Sequence, residues 1–140
     1  MKLLHIHHAA IICSDYSASK RFYTEVLGLR VVAENYRAAR DSYKLDLALP
    51  DGSQIELFSF RNPPRRPSYP EACGLRHLAF EVDDVAAWKM RLESSGIAVE
   101  DIRTDEFTKL QFVFFADPDG LPLELYASKT PACGVQATHR

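Results

Sequence analysis

The chain of 140 residues predicts an α+β fold of two tandem βαβββ modules. Two observations carry that prediction: a repeat in the sequence, and the same order of strand and helix signals in each half. The repeat opens with His8-Ala-Ala-Ile-Ile-Cys-Ser-Asp15 and again with His77-Leu-Ala-Phe-Glu-Val-Asp-Asp84. It closes with Pro50-Asp-Gly-Ser-Gln-Ile-Glu56-Leu-Phe and with Pro118-Asp-Gly-Leu-Pro-Leu-Glu124-Leu-Tyr. The His-to-Glu step is 48 residues in the first half and 47 in the second. One His and one Glu are therefore kept in the same frame twice.

Each element follows from local signals. Residues 5–13 alternate and carry β-branched side chains, which reads as a strand. Period-2 geometry puts His8, Ala10 and Ile12 on one face and His7, Ala9, Ile11 and Cys13 on the other. Asp15 is the expected N-cap of a helix reaching about Leu27, with Gly28 as its stop and Ala18, Phe22, Val26 and Leu29 as its apolar stripe. Strands follow at about 29–36, 43–49 and 54–60, the last two joined by an Asp51-Gly52 turn. Residues 61–74 hold four prolines and no periodicity, so they read as a linker. The order then repeats: strand 75–82, a helix over about 84–95 capped by Asp83 or Asp84 and ended by Gly96, and strands at about 97–103, 110–116 and 121–127. The expected organisation is one domain over 1–127, with modules at about 5–60 and 75–127, and a flexible tail over 128–140.

Composition sets limits on function. Apolar residues make up 46% and charged residues 26%, as in ordinary globular proteins. The formal charge of -2 gives no electrostatic basis for binding nucleic acid or an anionic membrane. No apolar run approaches the roughly 20 residues a membrane helix needs. The start, with its short apolar run broken by three histidines, lacks a signal-peptide pattern. The chain is read as cytoplasmic. The three cysteines show no CxxC spacing. Cys13 reads as a small core residue, Cys73 as a loop thiol near His77, and Cys133 as an exposed thiol.

Strand phase carries the chemistry. Ile55 and Leu57 flank Glu56, and Leu123 and Leu125 flank Glu124, so the apolar residues can face the helices and both carboxylates the opposite side. His8 and His77 fall on that side too, as do Lys44 and Asp46. A lone strand histidine is commonly structural, and a lone strand glutamate commonly solvated. Four such residues in a repeated frame, with each carboxylate inside an apolar phrase, point instead to a compensating cation. Two imidazoles and two carboxylates form a ligand set for a divalent ion, and Zn, Ni, Co, Mn and Fe all accept it, with Zn or Ni favoured. Arg37, Arg40 and Lys44 are candidates for holding an anionic part of a small-molecule substrate, beside the alternative of a solvated turn pairing with Asp41 and Asp46. Tyr126 shares the face of Glu124. Trp88 and Phe22 read as core residues. His5 and His7 precede the first ligand candidate, and His139 lies in the tail.

These phrases resemble the vicinal-oxygen-chelate superfamily, which includes glyoxalase I, fosfomycin-resistance transferases, extradiol dioxygenases and bleomycin-resistance proteins. The resemblance covers residues 5–127. It is carried by His8-Ala-Ala-Ile with Phe22-Tyr23 and Leu27-Gly28-Leu29, by Leu75-Arg-His77-Leu-Ala-Phe, and by Asp117-Pro-Asp-Gly-Leu-Pro-Leu-Glu124-Leu. Tyr36-Arg-Ala-Ala-Arg-Asp-Ser-Tyr43 and Pro70-Glu-Ala-Cys-Gly-Leu-Arg-His77 resemble the YaeR-type, glyoxalase-like subgroup. The resemblance implies two βαβββ modules forming a cup-shaped mixed sheet with helices outside, and one divalent metal held by His8, Glu56, His77 and Glu124. It further implies a lyase or isomerase that abstracts a proton through an enediolate from a small α-oxygenated metabolite or thiol adduct, with Glu124 as the first choice of base and Glu56 the second. The alternatives are a metal-dependent transferase or dioxygenase, or a metal-free binding protein of the resistance kind. By the habit of small glyoxalases, the expected assembly is a homodimer with His8 and Glu56 from one subunit and His77 and Glu124 from its mate, pairing within one chain being the rival. Small glyoxalases carry an arginine four residues after the first ligand, where this chain has Ile12, so the resemblance does not imply lactoylglutathione lyase activity.

Overall fold

The computed structural model describes residues 1–129. The expected tail, with Cys133 and His139, lies almost wholly outside the described residues. Strand β1 (His8–Cys13) leads into helix α1 (Tyr16–Arg21), which continues as a π-helical turn over Phe22–Val26. Strands β2 (Arg30–Arg37), β3 (Ser42–Ala48) and β4 (Gln54–Ser59) complete the first module. The second holds β5 (Leu78–Val82), α2 (Val85–Ser94), β6 (Arg103–Thr104), β7 (Gln111–Ala116) and β8 (Pro122–Ala127). The expected βαβββ order is present twice.

Each module builds one mixed sheet by the same rule. The orders are β1-β4-β3-β2 and β5-β8-β7-β6. In each, the first strand pairs parallel with the last, and the remaining pairs are antiparallel. The registers match as well: Ala10 lies opposite Glu56, and Ala79 opposite Glu124. The chain divides into two compact units. One is Met1–Pro67 with Asp117–Gly120, and the other is Ser68–Ala116 with the residues from Leu121 onward.

Both helices begin as the sequence implies. The Asp15 carboxylate accepts from Ala18 N–H at 2.9 Å, and Asp84, rather than Asp83, accepts from Ala87 N–H at 2.9 Å. Such a cap contributes about 1 kcal/mol. Gly28 and Gly96 stop the helices with φ of +79°, a conformation that costs other residues more.

The buried face of the first helix is not the expected stripe. Ser19, Phe22, Tyr23 and Leu27 are buried, while Ala18, Val26 and Leu29 are only half-buried. The π-helical turn adds a residue per turn and rotates the stripe. Tyr23 takes the inner place because its hydroxyl, within the first unit, donates to Asp117 Oδ2 at 2.9 Å. Burial and that carboxylate push the Tyr23 phenol well above the usual tyrosine range. In the same unit Ser14 Oγ donates to Asp119 Oδ1.

Three other expectations shift. The strand expected over 97–103 reduces to Arg103–Thr104 and an isolated bridge from Val99 to Phe115. His7 is exposed ahead of β1 instead of packing on the helix side. Trp88 is half-buried, with the Arg91 guanidinium 5.2 Å from its ring centroid. None of the helices among the described residues is long and apolar enough to cross a membrane.

Cys13 is 1% exposed, and burial pushes its thiol up to about 11, whereas Cys73 is exposed. The thiolate is the reactive form. In a Cys133→Ser background the native protein is therefore expected to react with one equivalent of iodoacetamide at neutral pH, at Cys73, and with a second only after denaturation. Labelling of Cys13 in the native state, read by peptide mass, would contradict this placement.

Candidate metal centre

Strand alternation places the candidate ligands as expected. Ile11 and Cys13 are buried on β1 while His8 and Ile12 are exposed. Leu45 and Leu47 are fully buried on β3, with Lys44 and Asp46 on the other face. Ile55 and Leu57 bracket Glu56, and Leu123 and Leu125 bracket Glu124.

In the first unit the structure brings His8 to Glu56, with Nε2 to Oε2 at 3.6 Å. In the second it brings His77 to Glu124, with Nε2 to Oε2 at 3.0 Å. Among the described residues of one chain, no three or more His, Cys, Asp or Glu side chains are grouped so as to hold a metal ion. Each module contributes one pair.

The pairs fit a metal chemically. Two ligands about 2.1 Å from a common ion and at right angles to it stand about 3 Å apart, the spacing of His77 and Glu124. The Glu124 side chain is 11% exposed and that of Glu56 14%, while the imidazoles of His8 and His77 reach solvent at 42% and 37%. Among the described residues the polar partner of the Glu124 carboxylate is His77. A shielded carboxylate facing an imidazole nitrogen is a donor set that a cation completes. His8 has a further contact on its other nitrogen, Nδ1 to His7 Nδ1 at 3.0 Å.

The surroundings of the two glutamates differ although the strand frame is the same. Beside Glu56, Lys44 Nζ lies 3.2 Å from Glu56 Oε1 and 2.5 Å from Asp46 Oδ1. Those carboxylates, Asp46 foremost, hold the ammonium above the usual lysine range. Lys44 is thus charged at neutral pH and is not a base. Beside Glu124 the corresponding β7 positions are Phe112 and Phe114, which lie opposite Tyr126 and Glu124. The Phe114 ring meets His77 edge-on at 5.1 Å, and Phe112 stacks on Tyr126 at 6.2 Å. The Tyr126 hydroxyl is bonded to Thr108 Oγ1 and donates to Asp105 Oδ2 at 3.1 Å.

Of the arginine candidates, Arg37 shares the face of Lys44, since Ser42, Lys44 and Asp46 alternate along β3 and Arg37 pairs with Ser42. Its guanidinium lies 5.0 Å from the Phe58 centroid and 5.9 Å from that of Phe60, and Nη2 donates to Ser42 Oγ at 3.0 Å. Its Nε is buried with no hydrogen-bond partner. Arg40 is exposed in the turn Ala38–Arg40. Asp41, the local partner in the solvated-turn alternative, bonds Tyr36 and Arg61.

Sequence reasoning missed Arg103, Phe112 and Phe114. Arg103 pairs with Phe112 across β6 and β7, and its guanidinium lies 5.0 Å from the Phe112 centroid and 5.5 Å from that of Phe114. Residues 110–116 are apolar at nearly every position, so alternation gives no sign of which side each aromatic takes. Only the burial of Val113 and Phe115 reveals it.

Residues 5–125 match the model of the Glyoxalase/Bleomycin resistance protein/Dioxygenase superfamily. The chain belongs to this family. It is 59% identical over 124 residues to the uncharacterized protein YaeR of Escherichia coli strain K12, covering 89% of this chain and 96% of YaeR. It is 56% identical over 126 residues to the uncharacterized protein YwkD of Bacillus subtilis strain 168, covering 90% and 98%. Among solved structures it resembles that of SMU.1112c, with a TM-score of 0.85 at 48% identity, covering 89% of this chain and 99% of the other. These are relatives of the YaeR type, as the motifs implied. More distant members of the superfamily matched by this chain include a probable lactoylglutathione lyase of Vibrio parahaemolyticus, 24% identical, and the metallothiol transferase FosB of Staphylococcus saprophyticus, 25% identical. Superfamily membership thus spans several chemistries.

Proposed function

We propose that the protein is a divalent-metal-dependent lyase or isomerase that moves a carbon-bound proton on a small α-oxygenated metabolite or thiol adduct. The observation that supports this reading is the His/Glu pair standing at the same strand positions of both modules. His8, Glu56, His77 and Glu124 would hold one ion, Zn or Ni by preference, in a homodimer where His8 and Glu56 of one subunit meet His77 and Glu124 of its mate. Such an ion, when bound, supplies Lewis-acid polarisation of adjacent substrate oxygens. Glu124 takes the proton and returns it, because its carboxylate is shielded and unopposed by a lysine. Glu56 is held in place by its ion pair with Lys44, so it assists. Arg37, with Arg40 nearby in the chain, holds an anionic part of the substrate, and Tyr126 lines the site beside Glu124.

Metal binding tests the reading directly. Protein made without a His-tag is expected to bind one zinc or nickel per chain, measured by calorimetry and elemental analysis, and to behave as a dimer by light scattering. Glu56→Gln is expected to weaken binding about 10-fold or more, within the range seen for removal of groups that support a metal. Unchanged affinity would remove Glu56 from the ligand set, and a monomer that binds metal stoichiometrically would exclude the shared site.

A further inference from the structure

The two histidines of the repeated pair stand in different surroundings. His77 Nε2 lies 3.0 Å from Glu124 Oε2, within hydrogen-bond distance, and its ring otherwise meets Phe114 edge-on. His8 Nε2 lies 3.6 Å from Glu56 Oε2, beyond that distance. The closer contact of His8 is made by its other nitrogen: Nδ1 is 3.0 Å from His7 Nδ1, with the two rings nearly perpendicular at 88°. His7 precedes β1, yet its backbone is tied down, because its carbonyl accepts from Gln54 N–H at 3.1 Å. That bond anchors it to β4, the strand that carries Glu56. His7, His8, Gln54 and Glu56 all belong to the first compact unit.

Hydrogen-bond chemistry decides what the His7 contact does. A neutral imidazole has one N–H and one bare nitrogen, and two nitrogens 3.0 Å apart attract when one donates and the other accepts. If the proton of His8 sat on Nε2, it would face the Glu56 carboxylate at 3.6 Å, too far for a bond. On Nδ1 it meets the lone pair of His7 at 3.0 Å. The second placement leaves the Nε2 lone pair facing Glu56 Oε2. Lys44 holds the other oxygen, Oε1, at 3.2 Å, so Oε2 is the one left for the side of His8. A lone pair set against a carboxylate oxygen is an arrangement that a shared cation makes favourable. Resting on the proposed function, we infer that His7 is a positioning residue: it accepts the Nδ1 proton of His8 and so fixes Nε2 as the atom offered to the metal. Among the described residues His77 has no such partner on Nδ1. The first module is therefore set in advance, whereas the second gives up its His77–Glu124 contact to take the ion.

Long-range proton–nitrogen NMR of the metal-free protein, at a pH above the imidazole range, reads which nitrogen of His8 carries the proton. The His8 signals are assigned by their loss in His8→Gln. A protonated Nδ1 and a bare Nε2 are expected. His7→Phe keeps a ring at the position but offers no acceptor. It is expected to abolish that preference and to weaken zinc binding, measured by calorimetry, about 10-fold or more at unchanged stoichiometry, the range for losing an outer partner of a metal ligand. His7→Asn places an oxygen where Nδ1 stood and is expected to restore the tautomer and part of the affinity. A proton on Nε2 in the unaltered protein overturns the inference. So does a His7→Phe variant that keeps the tautomer or binds zinc as tightly as before, or a His7→Asn variant no better than His7→Phe. An unaltered protein that binds no zinc yet shows the His7-dependent proton on Nδ1 would sustain the hold of His7 on His8 and refute the metal-dependent reading.

Discussion

Glu124→Gln protein carrying its full complement of metal is expected to turn over about 10²–10⁴-fold more slowly than the unaltered protein, the range assigned to a positioned acid–base group. The amide keeps the shape of the side chain and can still offer an oxygen, but it cannot accept the proton. The measurement is kcat at saturating metal on a panel of 2-oxoaldehyde–thiol hemithioacetals and 2-methyl acyl-CoA epimers, together with uptake of solvent deuterium at the substrate carbon. The unaltered protein should introduce deuterium and the variant should not. Wild-type turnover by the loaded variant would end the assignment of Glu124 as base. An unaltered protein that binds metal but turns over nothing in the panel would favour a binding or resistance role.

Its neighbour on the same strand is expected to fail in the opposite manner. Leu123 is fully buried and points to the side away from Glu124. Leu123→Ala deletes buried methyl groups and leaves a cavity, at a cost of about 2–5 kcal/mol. Urea unfolding should show that loss, while metal affinity per folded molecule, measured below the transition, stays within a small factor of the original. Glu124→Gln should leave the unfolding midpoint of the metal-free protein near its original value. If Leu123→Ala left stability unchanged, the assignment of the two faces of β8 would be wrong.

That contrast is also the part of the site most legible in the chain. Where a strand alternates cleanly, as at Ile55-Glu56-Leu57 and Leu123-Glu124-Leu125, period 2 sorts candidate ligand from core without any knowledge of neighbours. The repeat then aligns His8 with His77 and Glu56 with Glu124, and the registers opposite Ala10 and Ala79 follow. Legibility fails where both faces of a strand are apolar, as at Phe112-Val113-Phe114-Phe115. It also fails at Arg103, which sits on a strand of two residues. The rotation of the first helix stripe was hidden for a different reason. The partner that draws Tyr23 inward, Asp117, is 94 residues away in the chain, and a local window carries no trace of it.

That distant partner bears on how the protein is made. The first compact unit takes in the turn Asp117–Gly120 as well as Met1–Pro67. During synthesis the chain emerges N-terminus first, and a domain ordinarily folds once its last residue is out. Here the first sheet can pair its strands as soon as β4 has appeared, but the hydroxyl of Tyr23 must wait for a carboxylate encoded near the end of the second repeat. The nascent first half therefore spends the translation of nearly sixty further residues with an uncommitted polar group under its helix, and the ribosome, not the thermodynamics of the finished fold, sets how long that interval lasts.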